Sequence, residues 1–265
     1  MSYGCVDVNF FDYLPLLALC MMRPLGVFLL LPIFTSAALG GALLRNTLVL
    51  MVALPVIPAY IDNPALTYVG NVYSFSLLIV VEIMLGAMIG FIAAIPFWAI
   101  DMAGFVVDTL RGSSMANVFN PMLNVQSSLF GMFFTHVLSV IFLVTGGFNR
   151  LIEAIYTSFV LVPPGGSVHL SSAFFPFCMQ LWQVLFELCL SFAMPAIVIM
   201  LLIDLALGLI NRSAKQLNVF FVAMPIKCLM ILLLFAASLD FAFSDYILRI
   251  NTLVVDIKKM MGLLL

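Results

Sequence analysis

The sequence predicts an all-α membrane protein. Of its 265 residues, 65% are hydrophobic and only 8% are charged, whereas a soluble domain has about 25% charged residues. Such a chain lacks the polar surface that contact with water requires. Its apolar segments are continuous rather than alternating, which favours membrane helices over a β-barrel. The net charge of -2 and the lack of a basic run give no sign of nucleic-acid binding.

Seven apolar runs are predicted to form helices, each as long, or nearly as long, as the roughly 20 residues that cross a membrane. They occupy residues 13–34, 43–61, 75–100, 128–148, 151–162, 173–210 and 217–239. Several prolines lie inside these runs, among them Pro96 and Pro195. Because proline removes a backbone donor, it kinks or breaks a helix. We therefore expect kinked and broken helical hairpins joined by short connectors.

Basic residues flank the last run, 217–239, on both sides. Arg212 and Lys215 precede it, and "DIKKMMGLLL" follows near the end of the chain. Positive residues favour the cytoplasmic side of a membrane. If both ends are cytoplasmic, this run must be a hairpin or must not cross at all.

Six ionisable side chains lie within or beside the apolar runs. They are Arg23, Glu82, Asp101, Glu187, Asp204 and Lys227. A charge at the middle of a bilayer costs at least about 2.5–3.5 kcal/mol, so such residues face protein or water. We expect them at helix or subunit interfaces. Two interpretations stay open: ions that fix the register between helices, or a proton relay along a hydrated path.

Small residues share helical faces with two of these acids. Residues four apart lie on one face of a helix. Three small residues follow Glu82 in steps of four, and one follows Asp204 by four. Small side chains let two helix backbones approach closely. We therefore expect close helix packing at Gly86, Gly90, Ala94 and Gly208.

Catalytic and metal-binding motifs are weak or absent from the sequence. The segment "GSSM" at 112–115, with His136 downstream, is a poor match to an intramembrane serine protease. Asp101 and Asp204 lack the glycine-flanked pattern of an aspartyl protease. Two histidines are too few for a zinc site, and the five cysteines show no C-x-x-C spacing. We predict no enzyme activity, no cofactor and no metal.

A polar stretch, "DMAGFVVDTLRGSSMANVFNP" at 101–121, interrupts the apolar sequence. With its surroundings it resembles the central signature of the FliR/SctT family, the export-gate subunit of type III secretion systems and flagella. That signature has a glutamate in a glycine-rich helix, then A-G-x-x-[IV]-D-x-x-x-G-x-[ST], then a proline. Here these are Glu82, "AGFVVDTLRGSS" and "FNP". Asn120 stands where the family often has an acidic residue.

Two further blocks carry the same resemblance. Arg23, Pro32 and Arg45 follow the family's N-terminal pattern. The segment "MPAIVIMLLIDLALGLINRSAKQLNVFFVAMPIK" at 194–227 matches the C-terminal pattern, although Lys215 stands where relatives often have proline. Three blocks in family order cover approximately residues 17–239. The chain is therefore identified as a member of this family, and its length favours the virulence branch, the injectisome, over the flagellar one.

The resemblance implies a non-enzymatic subunit that builds and gates a pore for unfolded effector and needle proteins. It implies a fusion, with an SctR-like half at about 1–165, an SctS-like hairpin at about 170–240 and a tail at 241–265. It implies a place in the bacterial inner membrane at the needle base. The implied partners are SctR-, SctS- and SctU-like subunits, an inner-rod or needle-adaptor protein, unfolded polypeptides in transit, and membrane lipid. The alternative function is a small secondary transporter, which would also have broken helices and midplane charges.

Within this family reading, we expect about 107–125 to plug or constrict the pore, since irregular backbone is tolerated where it borders a cavity. Glycine and serine would supply flexibility, and methionine and phenylalanine an adaptable seal. We also expect Asp108 to pair with Arg111 three residues later. The alternative is an ordinary capped turn between helices. The predicted plug residues are Asp108, Arg111, Gly112, Ser113, Ser114, Met115, Asn117, Phe119, Asn120, Pro121 and Met122.

Overall fold

The computed structural model describes residues 10–35, 39–60, 72–112, 128–166, 169, 171–213 and 219–264. These residues form seven α-helices and two 3-10 segments, with no strand among them. The predicted all-α class is therefore confirmed. The α-helices are α1 Phe10–Leu30, α2 Ala42–Ala53, α3 Val72–Arg111, α4 Leu129–Val144, α5 Gly147–Leu161, α6 Phe174–Ser213 and α7 Val219–Gly262. The 3-10 segments are Pro32–Phe34 and Leu54–Tyr60.

Three helical segments in the described part of the chain are long and apolar enough to cross a membrane. They are Ala42–Tyr60, Tyr73–Arg111 and Phe174–Arg212. The pair α4 and α5 adds a fourth if it counts as one span, because its two helices are bent by 70° at their junction. Gly146 makes that bend with a φ of 76°, in the left-handed region that favours glycine. The expectation of broken apolar helices is met here.

The last helix bears on the two alternatives for the run 217–239, a hairpin or a segment that does not cross. α7 continues without reversal from Val219 to Gly262, a length of about 66 Å at the standard rise per residue. Buried residues such as Phe243, Tyr246 and Ile250 continue its apolar face at steps of three and four. A hairpin within this run is therefore wrong, and the segment expected as a tail prolongs the helix.

The chain divides into two compact units that interleave along the sequence. Unit 1 comprises residues 1–94, 146–179 and 251–265, and unit 2 comprises 95–145 and 180–250. α3, α6 and α7 therefore contribute residues to both units. The expected SctR-like and SctS-like halves stay a prediction.

In unit 1, aromatic side chains and the end of α7 contribute to the core. Phe28 and Phe34 lie with their ring centroids 4.7 Å apart. The backbone N–H of His169 donates to the carbonyl of Leu264 at 2.9 Å, and that of Ser171 donates to Leu263 at 3.1 Å. The segment before α6 is thus bonded to the final turn of α7.

In unit 2, an aromatic cluster joins α4, α6 and α7. The Phe134 ring lies 5.0 Å from Phe192 and 4.5 Å from Phe235, measured between centroids. The ring of Tyr246 meets Phe192 edge-on at 5.9 Å, and its hydroxyl donates to the carbonyl of Leu188 at 3.1 Å. Large rings with a satisfied polar group hold these helices together over a wide apolar area.

Candidate functional site

A buried ion pair lies in unit 1, between α1 and α3. Nε of Arg23 donates to Glu82 Oε2 at 2.8 Å, and Nη2 donates to Oε1 at 3.1 Å. The arginine is 0% exposed and the glutamate 2%. Two parallel bonds of this kind fix the orientation of both side chains.

The other donors of Arg23 are also occupied, by residues at the end of α5. Nη1 donates to the Ser158 hydroxyl at 3.2 Å, and Nη2 donates to the carbonyl of Val162 at 3.0 Å. The Phe159 ring centroid lies 4.2 Å from the guanidinium carbon. A cation at a helix C-terminus also meets the negative end of the helix dipole. We call Arg23, Glu82, Ser158 and the Val162 carbonyl the closed cluster.

Glycines bring the backbones of α1 and α3 together beside the closed cluster. A Cβ added at Gly86 would overlap the carbonyl of Arg23, and one at Gly90 would lie 2.8 Å from the carbonyl of Val27. Ala94 is fully buried on the same face. The matching glycine of α1, Gly26, was not predicted, although it lies only three residues after Arg23.

In unit 2, Asp108 joins the end of α3 to the start of α4. Its Oδ2 accepts the Ser128 hydroxyl at 2.7 Å and the Phe130 N–H at 3.0 Å. Its Oδ1 lies 2.9 Å from Nη2 of Arg111, as the three-residue spacing predicts. Ser128 in turn accepts the N–H of Gly131 at 2.7 Å and caps α4. We call these contacts the Asp108 clamp.

The structure describes three of the predicted plug residues, Asp108, Arg111 and Gly112. Asp108 is buried and lies within α3, which ends at Arg111. Only Gly112, with a φ of 95°, has already left the helix. Asp108 thus bonds the end of α3 to the start of α4, and its predicted place in a plug stays a prediction. The remaining predicted plug residues lie outside the described residues: Ser113, Ser114, Met115, Asn117, Phe119, Asn120, Pro121 and Met122.

α3 and α4 also touch through glycine. A Cβ added at Gly104 would overlap the backbone of Gly131, and one at Gly131 would lie 2.6 Å from Oδ1 of Asp101. Asp101 itself is exposed in this chain, so it does not occupy a buried interface within it. Ser128 and Gly131 were not predicted as site residues, although serine just before an apolar helix is a preferred N-cap residue.

A second ion pair of unit 2 joins α6 to α7. Nζ of Lys227 lies 2.7 Å from Asp204 Oδ1 and 2.8 Å from Oδ2, and it also donates to the carbonyl of Leu110 at 3.1 Å. The lysine side chain is 11% exposed, but the aspartate is 52% exposed. The pair is therefore enclosed on the lysine side only.

A half-open pocket of about 310 Å³ borders this pair within unit 2. Its lining is mostly apolar and includes the cations of Arg111 and Lys227. The lining residues are Arg111, Gly112, Asp204, Leu207, Gly208, Ala223, Met224 and Lys227. We call the charged residues that line the pocket, Arg111, Asp204 and Lys227, the open cluster.

Gly208 does not make the close helix contact expected of it. A Cβ built there meets no described atom within 4 Å, because this face of α6 turns toward the pocket rather than toward another helix of the chain. Glu187 likewise lies on an exposed face of α6, where it accepts a hydrogen bond from Gln183 at 2.7 Å. These positions are open in the isolated chain.

The arrangement offers ionic pairing and close packing of helices. Among the residues that the structure describes, no three His, Cys, Asp or Glu side chains are grouped closely enough to hold a metal ion. The nitrogen Nδ1 of His136 lies 2.6 Å from the Met132 carbonyl of its own helix. Because a carbonyl only accepts, this nitrogen is the donor.

Comparison with known proteins identifies relatives along most of the chain. The family model described as bacterial export proteins, family 1, matches residues 14–252. The chain is 41% identical over 247 residues to the secretion system apparatus protein SsaT of Salmonella typhimurium, which covers 93% of this chain and 95% of that protein. It is 39% identical over 223 residues to the Yop proteins translocation protein T of Yersinia pestis, at 80% and 82% coverage. It is 31% identical over 169 residues to the flagellar biosynthetic protein FliR of Bacillus subtilis, at 63% and 64% coverage.

Proposed function

Because this chain belongs to the bacterial export proteins of family 1, the FliR/SctT family that its motifs predicted, we propose that it is a subunit of a type III secretion export apparatus. The proposal covers the whole chain, since SsaT aligns over 93% of it and 95% of its own length. The injectisome branch is favoured because the identity to the secretion and translocation proteins, 41% and 39%, exceeds the 31% to the flagellar protein.

The observation that carries the proposal is the open cluster. Asp204 is half exposed on α6, and Leu201 and Leu205, which border the face of Asp204 and Gly208, are exposed and apolar. A carboxylate on such a face is unstable against lipid. A neighbouring chain that covers Gly208 and Asp204 would bury the apolar residues and enclose the charge. The role is therefore assembly and conduction, not catalysis.

The proposed place of the chain is the bacterial inner membrane, at the base of the secretion needle. Its partners there would be SctR-, SctS- and SctU-like subunits and an inner-rod or needle-adaptor protein. Helices α3 and α6 each have 40 residues, about twice what a bilayer requires. Such lengths suit an assembly in which long helices pack on one another beyond the hydrocarbon layer.

Within that assembly, we propose that the segment of about 107–125 constricts a pore for unfolded polypeptides. The Asp108 clamp supports this idea because it bonds the end of α3 to the start of α4. Both ends of the intervening segment are therefore held at one place. The segment then has fixed ends. Fixed ends are what a constriction needs if it is to close again after each substrate has passed.

The assembly role is tested by purification. A tagged full-length chain, expressed together with its SctR-, SctS- and SctU-like subunits, is expected to retain them through detergent extraction. A chain that purifies alone, and that catalyses solute uptake in vesicles by itself, would instead support the secondary transporter.

The constriction is tested by deleting residues 112–118. The assembled complex is expected to persist, while small ions leak across the inner membrane. Unchanged ion permeability in an intact complex would contradict the constriction without affecting the assembly role.

A further inference from the structure

We propose that a polar strip on α6 and α7 is the docking surface for a membrane helix of a neighbouring subunit that carries a lysine or arginine within an apolar segment. The strip consists of Gln183, Glu187, Ser191 and Asp245, all in unit 2 and all exposed. This inference rests on the proposed function and adds to it the chemistry of one partner.

The strip is a built arrangement rather than a chance grouping of polar residues. Gln183, Glu187 and Ser191 follow one another at steps of four and share one face of α6. Nε2 of Gln183 donates to Oε1 of Glu187 at 2.7 Å, and the Ser191 hydroxyl donates to Oδ2 of Asp245 at 3.3 Å. Each carboxylate is thus oriented through one oxygen, and its second oxygen can accept from outside.

The strip lies at a rigid junction between the two helices. One residue away on each helix, the Tyr246 hydroxyl donates to the carbonyl of Leu188, and the Tyr246 ring meets Phe192. Tyr246 is 1% exposed. Because this contact fixes α6 against α7, Glu187 and Asp245 are held in position before any partner arrives.

Large apolar side chains surround the strip and indicate a protein partner rather than an aqueous channel. Trp182, Phe186, Leu190 and Met194 are each about half exposed on α6, and Leu248 is exposed on α7. The rings of Trp182 and Phe186 pack edge to face at 5.6 Å. Exposed aromatic residues around oriented polar groups are typical of the centre of a protein interface, where they exclude water.

Charge decides which partner fits. Among the described residues, neither Glu187 nor Asp245 forms an ion pair with a lysine or arginine. Enclosing two carboxylates in an apolar interface is unfavourable unless a cation compensates them. A helix that brings a lysine or arginine to the strip compensates the two carboxylates. The aliphatic residues next to that cation would cover the exposed apolar side chains around the strip.

The test uses the complete apparatus with the strip neutralised by Glu187→Gln and Asp245→Asn. Complex recovered by co-purification is expected to fall on the order of tenfold, while the Tm of the isolated chain stays at the wild-type value. Glu153→Gln is the matched control, because Glu153 is an exposed acid on α5 in unit 1. It should leave both measurements unchanged.

A photo-crosslinking amino acid at Gln183 then identifies the chemistry of the partner. The expected adduct maps to an apolar segment of another subunit, with a lysine or arginine within one helical turn of the crosslinked residue. Glu187→Lys should abolish assembly, and changing that partner cation to glutamate should restore it.

Three outcomes overturn the inference. They are normal assembly of the neutralised variant, adducts with lipid only, and adducts with secreted polypeptides only. Each of these leaves the proposed function standing if the wild-type chain still retains its partner subunits. Failure of the wild-type chain to co-purify with them overturns the proposed function instead.

Discussion

The closed cluster of unit 1 and the open cluster of unit 2 both pair a cation with a carboxylate inside apolar helices, but they differ in what surrounds them. Each side-chain nitrogen of Arg23 is bonded within the chain, through four hydrogen bonds to Glu82, Ser158 and Val162. The open cluster leaves Asp204 52% exposed beside a pocket of about 310 Å³.

The difference separates two uses of buried charge. A fully enclosed pair fixes the register of helices, because any other register would leave an unpaired ion. A pair enclosed on one side is stable only if something else covers the other side. On the proposed function, the first kind therefore serves folding of this chain, and the second its assembly with other subunits. Mutations at the two clusters should consequently move different measurements.

The largest expected effect is at the closed cluster. Glu82→Ala leaves Arg23 buried and unpaired, which should cost about 3–5 kcal/mol of stability. The Tm of the detergent-purified chain measures the loss. Glu153→Ala, at an exposed acid of the same unit, should stay within about 0.5 kcal/mol of wild type. Equal Tm values for the two variants would remove the distinction between enclosed and exposed charge.

The next effect compares two glycines in helices. Gly86→Ala places a methyl group on the Arg23 backbone, and overpacking of this kind costs about 1–3 kcal/mol. Gly208→Ala meets open space and should gain up to about 1 kcal/mol from helix propensity. The two substitutions should therefore shift the Tm of the isolated chain in opposite directions. A fall in Tm for both variants would show that the face of α6 around Gly208 is packed within the chain.

A smaller effect is expected at the Asp108 clamp. Asp108→Ala removes the acceptor for the Ser128 hydroxyl and the Phe130 N–H, and loss of such a cap costs about 1–2 kcal/mol. Thr109→Ala is a suitable control, since that exposed hydroxyl only bonds back to the Phe105 carbonyl. Thermal unfolding of both variants compares them. An Asp108 variant as stable as the Thr109 variant would dismiss the clamp.

The smallest effect on the isolated chain is expected at Asp204. Asp204→Asn keeps an acceptor for Lys227, and an exposed ion pair contributes only about 0–1 kcal/mol. Assembly should suffer more than stability, because the neutral side chain no longer offers a charge to the covering subunit. Co-purification measures assembly and the Tm measures stability, and both are determined on one preparation of the variant. Loss of Tm without loss of partners would assign Asp204 to folding.

The sequence was sufficient to predict the helices and the α3 side of the glycine contact between α1 and α3. Each predicted apolar run contains a helix, because continuous hydrophobicity over such lengths leaves the backbone no other way to satisfy its hydrogen bonds. Gly86 was visible from its spacing after Glu82, whereas Gly26 was not, since its role depends on a helix far away in the sequence.

The partners of the charges could not be predicted. Arg23 and Glu82 are 59 residues apart, and the Val162 carbonyl is a backbone group that no residue type indicates. The capping contact between Asp108 and Ser128 was equally out of reach, because it depends on where α4 returns. Exposure of Asp204 and Glu187 is likewise a property of the fold, not of their local sequence.

The central claim is that the face of α6 around Asp204 is covered by another chain, and Gly208→Leu tests it most directly. The isolated variant should not lose Tm relative to wild type, since a Cβ at that position meets no described atom of another part of this chain within 4 Å and leucine has a higher helix propensity than glycine. The same variant should lose its SctR- and SctS-like partners on co-purification, because a leucine would hold the covering helix away. Retention of those partners at the wild-type level would contradict the account.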